Sequence, residues 1–150
     1  MAGVLDVRSG LNQPGDADEY PVMFPTDGTE TWVLRHSLYE WPDPTHHCGF
    51  TRPSGPPIVL MLGTGEGTPS VGSYSVTSGS GQPLDVCMFH ELNFRGSDSA
   101  QQSTGRIIMN LRDAVVLIPR NPLAADSSYQ VDIQVKGESH SWSFTTRKRP

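Results

Sequence analysis

Three histidines and two cysteines carry the chemistry most open to this chain. His46-His47-Cys48 is a contiguous triplet, and His90 follows three residues after Cys87. Neither cysteine sits in a C-x-x-C pair, so a zinc knuckle or a thioredoxin-type motif is not supported. Two readings of the cysteines remain, a pair of reduced core thiols or one disulfide. A Cys48–Cys87 bridge would close a loop of about 40 residues and stabilise the fold by roughly 4 kcal/mol in the chain-entropy view. We favour the bridge, which implies an oxidising compartment. It would also bring His46, His47 and His90 close together, and imidazoles suit copper, nickel or zinc. The plainer reading is a polar loop of exposed histidines beside a structural bridge, because adjacent imidazoles splay apart unless the backbone kinks. We prefer it, and expect no cofactor.

Other chemistries fail on spacing. His90-Glu91 opens an H-E-x-x-H pattern, but Phe94 stands where the second histidine belongs. No G-x-S-x-G is present, and Ser73 in Gly72-Ser73-Tyr74 is the nearest approach to an activated serine. Glu40 and Asp43 are carboxylates three apart, as glycoside hydrolysis could use, but flanking prolines point to a rigid exposed turn. The glycines of Gly63-Thr64-Gly65-Glu66-Gly67 follow a strand-like run but lack Gly-Lys-Ser/Thr, and Pro69 stands where a helix would propagate. Tyr39 and Trp41, in Tyr39-Glu40-Trp41-Pro42, could form a sugar-stacking platform or plug the end of a β-structure. We prefer the plug. The chain therefore reads as a non-enzyme.

The elements that position these residues read as strands. The chain has 150 residues, 15 Gly, 13 Pro and a formal net charge of −5. Residues 1–75 carry 9 acidic and 3 basic groups, and residues 76–150 carry 7 and 8. An acidic domain repels the phosphate backbone, which disfavours nucleic acid as a partner. No apolar run approaches the roughly 20 residues of a membrane span. Tyr129, Val131, Ile133 and Val135 alternate with polar residues, a Gly137 turn follows, and His140, Trp142 and Phe144 resume the apolar set. This predicts a hairpin with one face that a second layer must cover. Pro57–Leu62 predicts a central strand buried on both faces. Tyr20–Pro25 predicts a short edge strand, and Thr31–Leu34, Ser73–Thr77, Leu84–Phe89, Arg106–Asn110 and Ala114–Pro119 predict further strands. No segment shows a capped helical period over ten or more residues. Eight or nine strands at such spacing predict an all-β, two-layer, antiparallel sandwich over residues 20–146. Residues 1–19 read as a flexible leader or linker, 35–57 as a long irregular loop, and 147–150 as a basic tail.

The order Pro25-Thr26-Asp27-Gly28, then Leu117-Ile118-Pro119-Arg120-Asn121-Pro122-Leu123, Ser128-Tyr129-Gln130-Val131 and Trp142-Ser143-Phe144-Thr145-Thr146, resembles bacterial Ig-like domains of secreted proteins. More narrowly it resembles the β-sandwich module that accompanies bacterial CAP (SCP-like) extracellular domains. The resemblance implies an Ig-like fold and a spacer, adhesion or interaction role beside a neighbouring domain or an extracellular protein. It implies an extracellular or cell-surface location, although residues 1–6 lack the basic and apolar regions of a signal peptide. It carries no catalytic residue. A ligand-binding module for carbohydrate or a metal ion is the alternative.

Overall fold

The computed structural model describes residues 20–63, 67 and 69–148. The expected leader at 1–19 and the last two residues of the expected tail lie outside them. Eight strands form two four-stranded sheets. They are β1 (Val22–Phe24), β2 (Glu30–Thr31), β3 (Ile58–Met61), β4 (Val71–Ser78), β5 (Val86–Phe89), β6 (Ala114–Pro119), β7 (Ser128–Val135) and β8 (Glu138–Thr146). The helices are α1 (Pro44–Cys48) and α2 (Ser99–Asn110). One sheet runs β1-β3-β6-β5 and the other β2-β8-β7-β4. The sheets face each other, so the fold is an all-β sandwich.

The hairpin expected at the C-terminal end is present. β7 and β8 pair antiparallel with Tyr129 opposite Phe144, Val131 opposite Trp142 and Ile133 opposite His140. β7 alternates exposed and buried along its whole length, as a strand covered on one face must. Lys136 and Gly137 both take positive φ at the turn, the twist that a two-residue hairpin loop requires. The buried set of this hairpin meets Ile58 and Leu60 of β3, Val115 and Leu117 of β6, and Val76 of β4. The Tyr129 hydroxyl accepts from the Ala124 N–H at 2.9 Å, so the ring is buried without a stranded polar atom.

β3 and β6 are buried on both faces, which explains their unbroken apolar runs. Their second face carries a further apolar cluster of Val59, Ala114, Val116 and Ile118 with Phe89, Phe94, Ile108 and Met109. The cover is a helical layer that the sequence reading did not contain. Residues 99–110, of which Arg106–Asn110 read as a strand, form one helix. Asp98 caps it by accepting from Gln101 N–H at 2.8 Å. Its buried residues are Gly105, Ile108 and Met109. That is a helical stripe, but its first member is a glycine and so leaves no hydrophobic mark. A Cβ at Gly105 would lie 2.3 Å from the Phe94 ring, so the apolar contact there is supplied by Phe94 from another segment. The run Arg106–Asn110 is β-branched in character yet helical, since tertiary packing overrides such a weak preference.

Two further readings change. β2 is only Glu30–Thr31, pairing parallel with Thr145 and Thr146 of β8. The chain then leaves the sheet, because the Val33 N–H is taken by the Thr31 hydroxyl at 3.1 Å. Arg147 is not a loose tail residue: its N–H donates to Thr31 O and its side chain pairs with Glu30.

Candidate functional site

The segment from Trp32 to Trp41 turns its large apolar side chains outward. Trp32 is 62 % exposed, Leu38 73 %, Tyr39 88 % and Trp41 58 %, with Val33 also exposed. Placing that much apolar surface in water forgoes roughly 1.5–3 kcal/mol for each large side chain. Trp41 therefore does not plug the sandwich end, as the sequence reading preferred. Trp32 and Val33, read as part of a strand, belong to the same exposed segment.

The loop that presents them is braced at several points. His36 and Ser54 pair as an antiparallel bridge with N–H···O distances of 2.9 and 3.1 Å. Gly55 donates to Pro119 O at 2.8 Å, and a Cβ at Gly55 would sit 2.6 Å from the Pro119 ring, so only glycine permits this approach. Asp43 caps α1, accepting from Thr45 N–H at 2.9 Å and Thr45 Oγ1 at 2.7 Å, and Pro44 opens the helix where its missing N–H is harmless. The Asp43 N–H donates to Gln101 Oε1 at 3.1 Å, tying the loop to α2. Arg52 is the central brace. It lies 3.7 Å over the Tyr39 ring, donates to Leu38 O at 3.3 Å and faces Asp43 at 3.6 Å. One face of Tyr39 is thus covered by a guanidinium and the other is open. That contact favours the orientation that leaves the open face to stack or to dock an apolar group. Arg52 and Leu38 carry no mark in the sequence, whereas Trp32 is one of three tryptophans, with Trp41 and Trp142, that could supply an exposed stacking platform. The place of Trp32 in the strand-like run Thr31–Leu34 hid its exposure.

The cysteines form the Cys48–Cys87 disulfide, with Cα atoms 5.6 Å apart. It joins the end of α1 to β5 and pins the 35–57 loop to the sheet. His47 and His90 do come to the same region. The His47 ring packs against Phe89 and Phe94 at centroid distances of 5.3 and 6.0 Å. Its Nδ1 accepts from the Arg95 N–H at 3.0 Å, and His90 Nδ1 accepts from the Leu92 N–H at 3.2 Å. His46 precedes them on α1. Among the described residues no three His, Cys, Asp or Glu side chains converge as a metal ion would require. Burial lowers the affinity of His36, His47 and His90 for a proton, and for His47 the nearby charges of Arg95 and His90 lower it further. At His90 the Glu91 carboxylate works against burial.

These depressed values fix a pH dependence. The unfolded chain takes up protons at these histidines below about pH 6.5, where the folded chain still resists them. Stability contributed by the neutral rings is therefore full above about pH 6.5 and is lost as the pH falls toward the folded-state values. Thermal melts should show a lower Tm at pH 5.5 than at pH 7.5. His47→Asn and His90→Asn, whose amide oxygens can replace Nδ1 as acceptors, should flatten that slope. An unchanged slope in both variants would show that these rings do not govern it.

The other sequence candidates are occupied or apart. Asp43 is used in capping and in the Arg52 pair, so Glu40 and Asp43 do not stand as two free carboxylates. Ser73 lies in edge strand β4 opposite Gln134. Of the glycine-rich loop, Gly65 lies outside the described residues. A cleft of about 360 Å³ opens between the β4–β5 connection and the segment after β6, lined by Pro83, Pro119, Pro122 and Tyr129 with Gln82 and Asp85. Its Asp85 carboxylate is engaged by Arg120 at 2.6 Å. Among the described residues no helix is long and apolar enough to cross a membrane. No protein-family model matches the chain, and no curated protein is similar to it in sequence.

Proposed function

We propose that this chain is a non-enzymatic interaction module of an exported bacterial protein, of the Ig-like kind that accompanies CAP-type extracellular domains. It docks a neighbouring domain or an extracellular protein through residues 32–41. One observation carries the reading: Trp32, Leu38, Tyr39 and Trp41 are exposed on a loop that a disulfide, a helix cap and Arg52 hold in place. Trp, Tyr and Arg are the residue types that dominate binding energy at protein interfaces. A preset loop surrenders little entropy on docking. The disulfide supports a location in an oxidising compartment.

The test is photo-crosslinking from position 41 in the producing organism, with Gln130, exposed on β7, as the control position. The expected result is one partner captured from 41 and not from 130, whose purified form binds this chain about tenfold or more weakly after Trp41→Ala. Equal capture from both positions, or affinity indifferent to Trp41 and Tyr39, would overturn the reading. The braced Tyr39 ring favours one second reading, stacking against the apolar face of a sugar. A glycan array on which Tyr39→Ala and Trp41→Ala both abolish binding would select it over a protein partner.

A further inference from the structure

Three of the described arginines stand in ion pairs. Arg52 faces Asp43, Arg120 faces Asp85 and Arg147 faces Glu30. With 16 carboxylates against 11 lysines and arginines in the chain, acids are not scarce. Yet among the described residues no carboxylate lies within ion-pair reach of Arg95 or Arg106.

These two arginines are neighbours by construction. The Arg106 Nε–H donates to Phe94 O at 3.0 Å, and the Arg95 N–H donates to His47 Nδ1 at 3.0 Å. One peptide group, between residues 94 and 95, is thus held from α2 on one side and from α1 on the other. The bond at Nε leaves the terminal nitrogens of Arg106 for other partners, and the Arg95 side chain is exposed. His47 and His90 spend Nδ1 as acceptors, so each neutral ring carries its proton on Nε2 as a further donor. The proton affinity of His47 registers the same crowd: Arg95, His90, Arg106 and His46 all act on it in the same direction. Asp98, the acid nearest Arg95 in sequence, caps α2 by accepting from the Gln101 N–H at 2.8 Å, and Glu91 is buried and accepts from Asn110 Nδ2 at 2.8 Å.

We propose that the surface where α1, the 90–95 turn and α2 meet is a phosphate-binding site, with the guanidiniums of Arg95 and Arg106 as its main ligands. Guanidinium forks match the geometry and charge of phosphate oxygens. Two of them balance the charge of a phosphate near −2. The His47 and His90 Nε2–H groups add neutral donors that need no protonation, so binding persists at pH 7.5. The overall negative charge opposes long-range capture, which restricts recognition to this local surface.

Calorimetric titration with inorganic phosphate at pH 7.5 and constant ionic strength tests the site, with backbone NMR shifts to locate it. The expected result is saturable binding, with shifts centred on residues 46–48 and 90–95. Arg95→Gln should weaken it about tenfold or more. Lys148→Gln, two residues past β8, should leave it unchanged. Arg106→Lys keeps a charge but loses the fork, and should weaken binding while thermal melts show the fold intact. A parallel titration with polyphosphate separates the sources. Equal affinity per phosphate points to the free ion, and binding about 100-fold tighter points to a phosphate-bearing polymer. No saturable binding to either probe, or equal losses from Arg95→Gln and Lys148→Gln, would overturn the site.

Discussion

Replacing Cys48 and Cys87 together by serine should lower the stability of the domain by about 4 kcal/mol. The bridge spans 39 residues of sequence, and that interval contains both β3 and β4. Without it the unfolded chain regains the freedom of a long closed loop. The lost cross-link also frees the segment that depends on it most. α1 has only five residues and touches the sheet chiefly through β5, far too few to be helical alone. The Tm should fall on the order of 10 °C. Hydrogen exchange should locate the change: amides of 44–49 and 90–95 lose protection well before those of β7 and β8. A loss below about 1 kcal/mol, or uniform loss of protection, would show that the bridge does not hold the helical layer.

Trp142→Ala should cost 3–5 kcal/mol, on the scale for truncating a buried aromatic residue. Trp142 is fully buried opposite Val131, in the cluster that joins the two sheets. The same position carries an internal contrast. The Trp142 indole N–H has no hydrogen-bond partner among the described residues, and a buried unpaired donor costs about 1–3 kcal/mol. Trp142→Phe removes that donor while keeping an aromatic ring, so it should cost far less than alanine. Chemical denaturation of the three proteins decides it. If phenylalanine and alanine are equally damaging, the site needs the indole itself and not merely an aromatic ring, and the unpaired donor carries no penalty.

Most of the sandwich was legible because its pattern is local. The period of two in Tyr129–Val135 and His140–Phe144 names strands, their buried face and the turn between them without reference to the rest of the chain. The continuous run Ile58–Leu60 announced a strand covered on both sides. What covered the second side was not legible. α2 shows the core a glycine, one isoleucine and one methionine, and the space at Gly105 is filled by Phe94 from eleven residues upstream. A pairing of that kind exists only in three dimensions. The disulfide was favoured on loop length and is present. The docking loop was half legible: Tyr39 and Trp41 were picked out, but their exposure follows from Arg52, Asp43 and the Pro119–Gly55 approach, none of which marks the sequence as binding.

The parallel pairing of β2 with β8 has a practical corollary for handling the molecule. Thr31 and Thr146 are partners in that ladder, and the Arg147 amide reaches Thr31 O. The chain therefore leaves β8 at the pole where Trp32 begins the exposed segment. A tag or surface linker fused behind residue 148 would crowd that pole and shield the tryptophan. Immobilisation through a cysteine placed at Lys136, in the hairpin tip at the other end of β8, would leave the aromatic pole facing the solution.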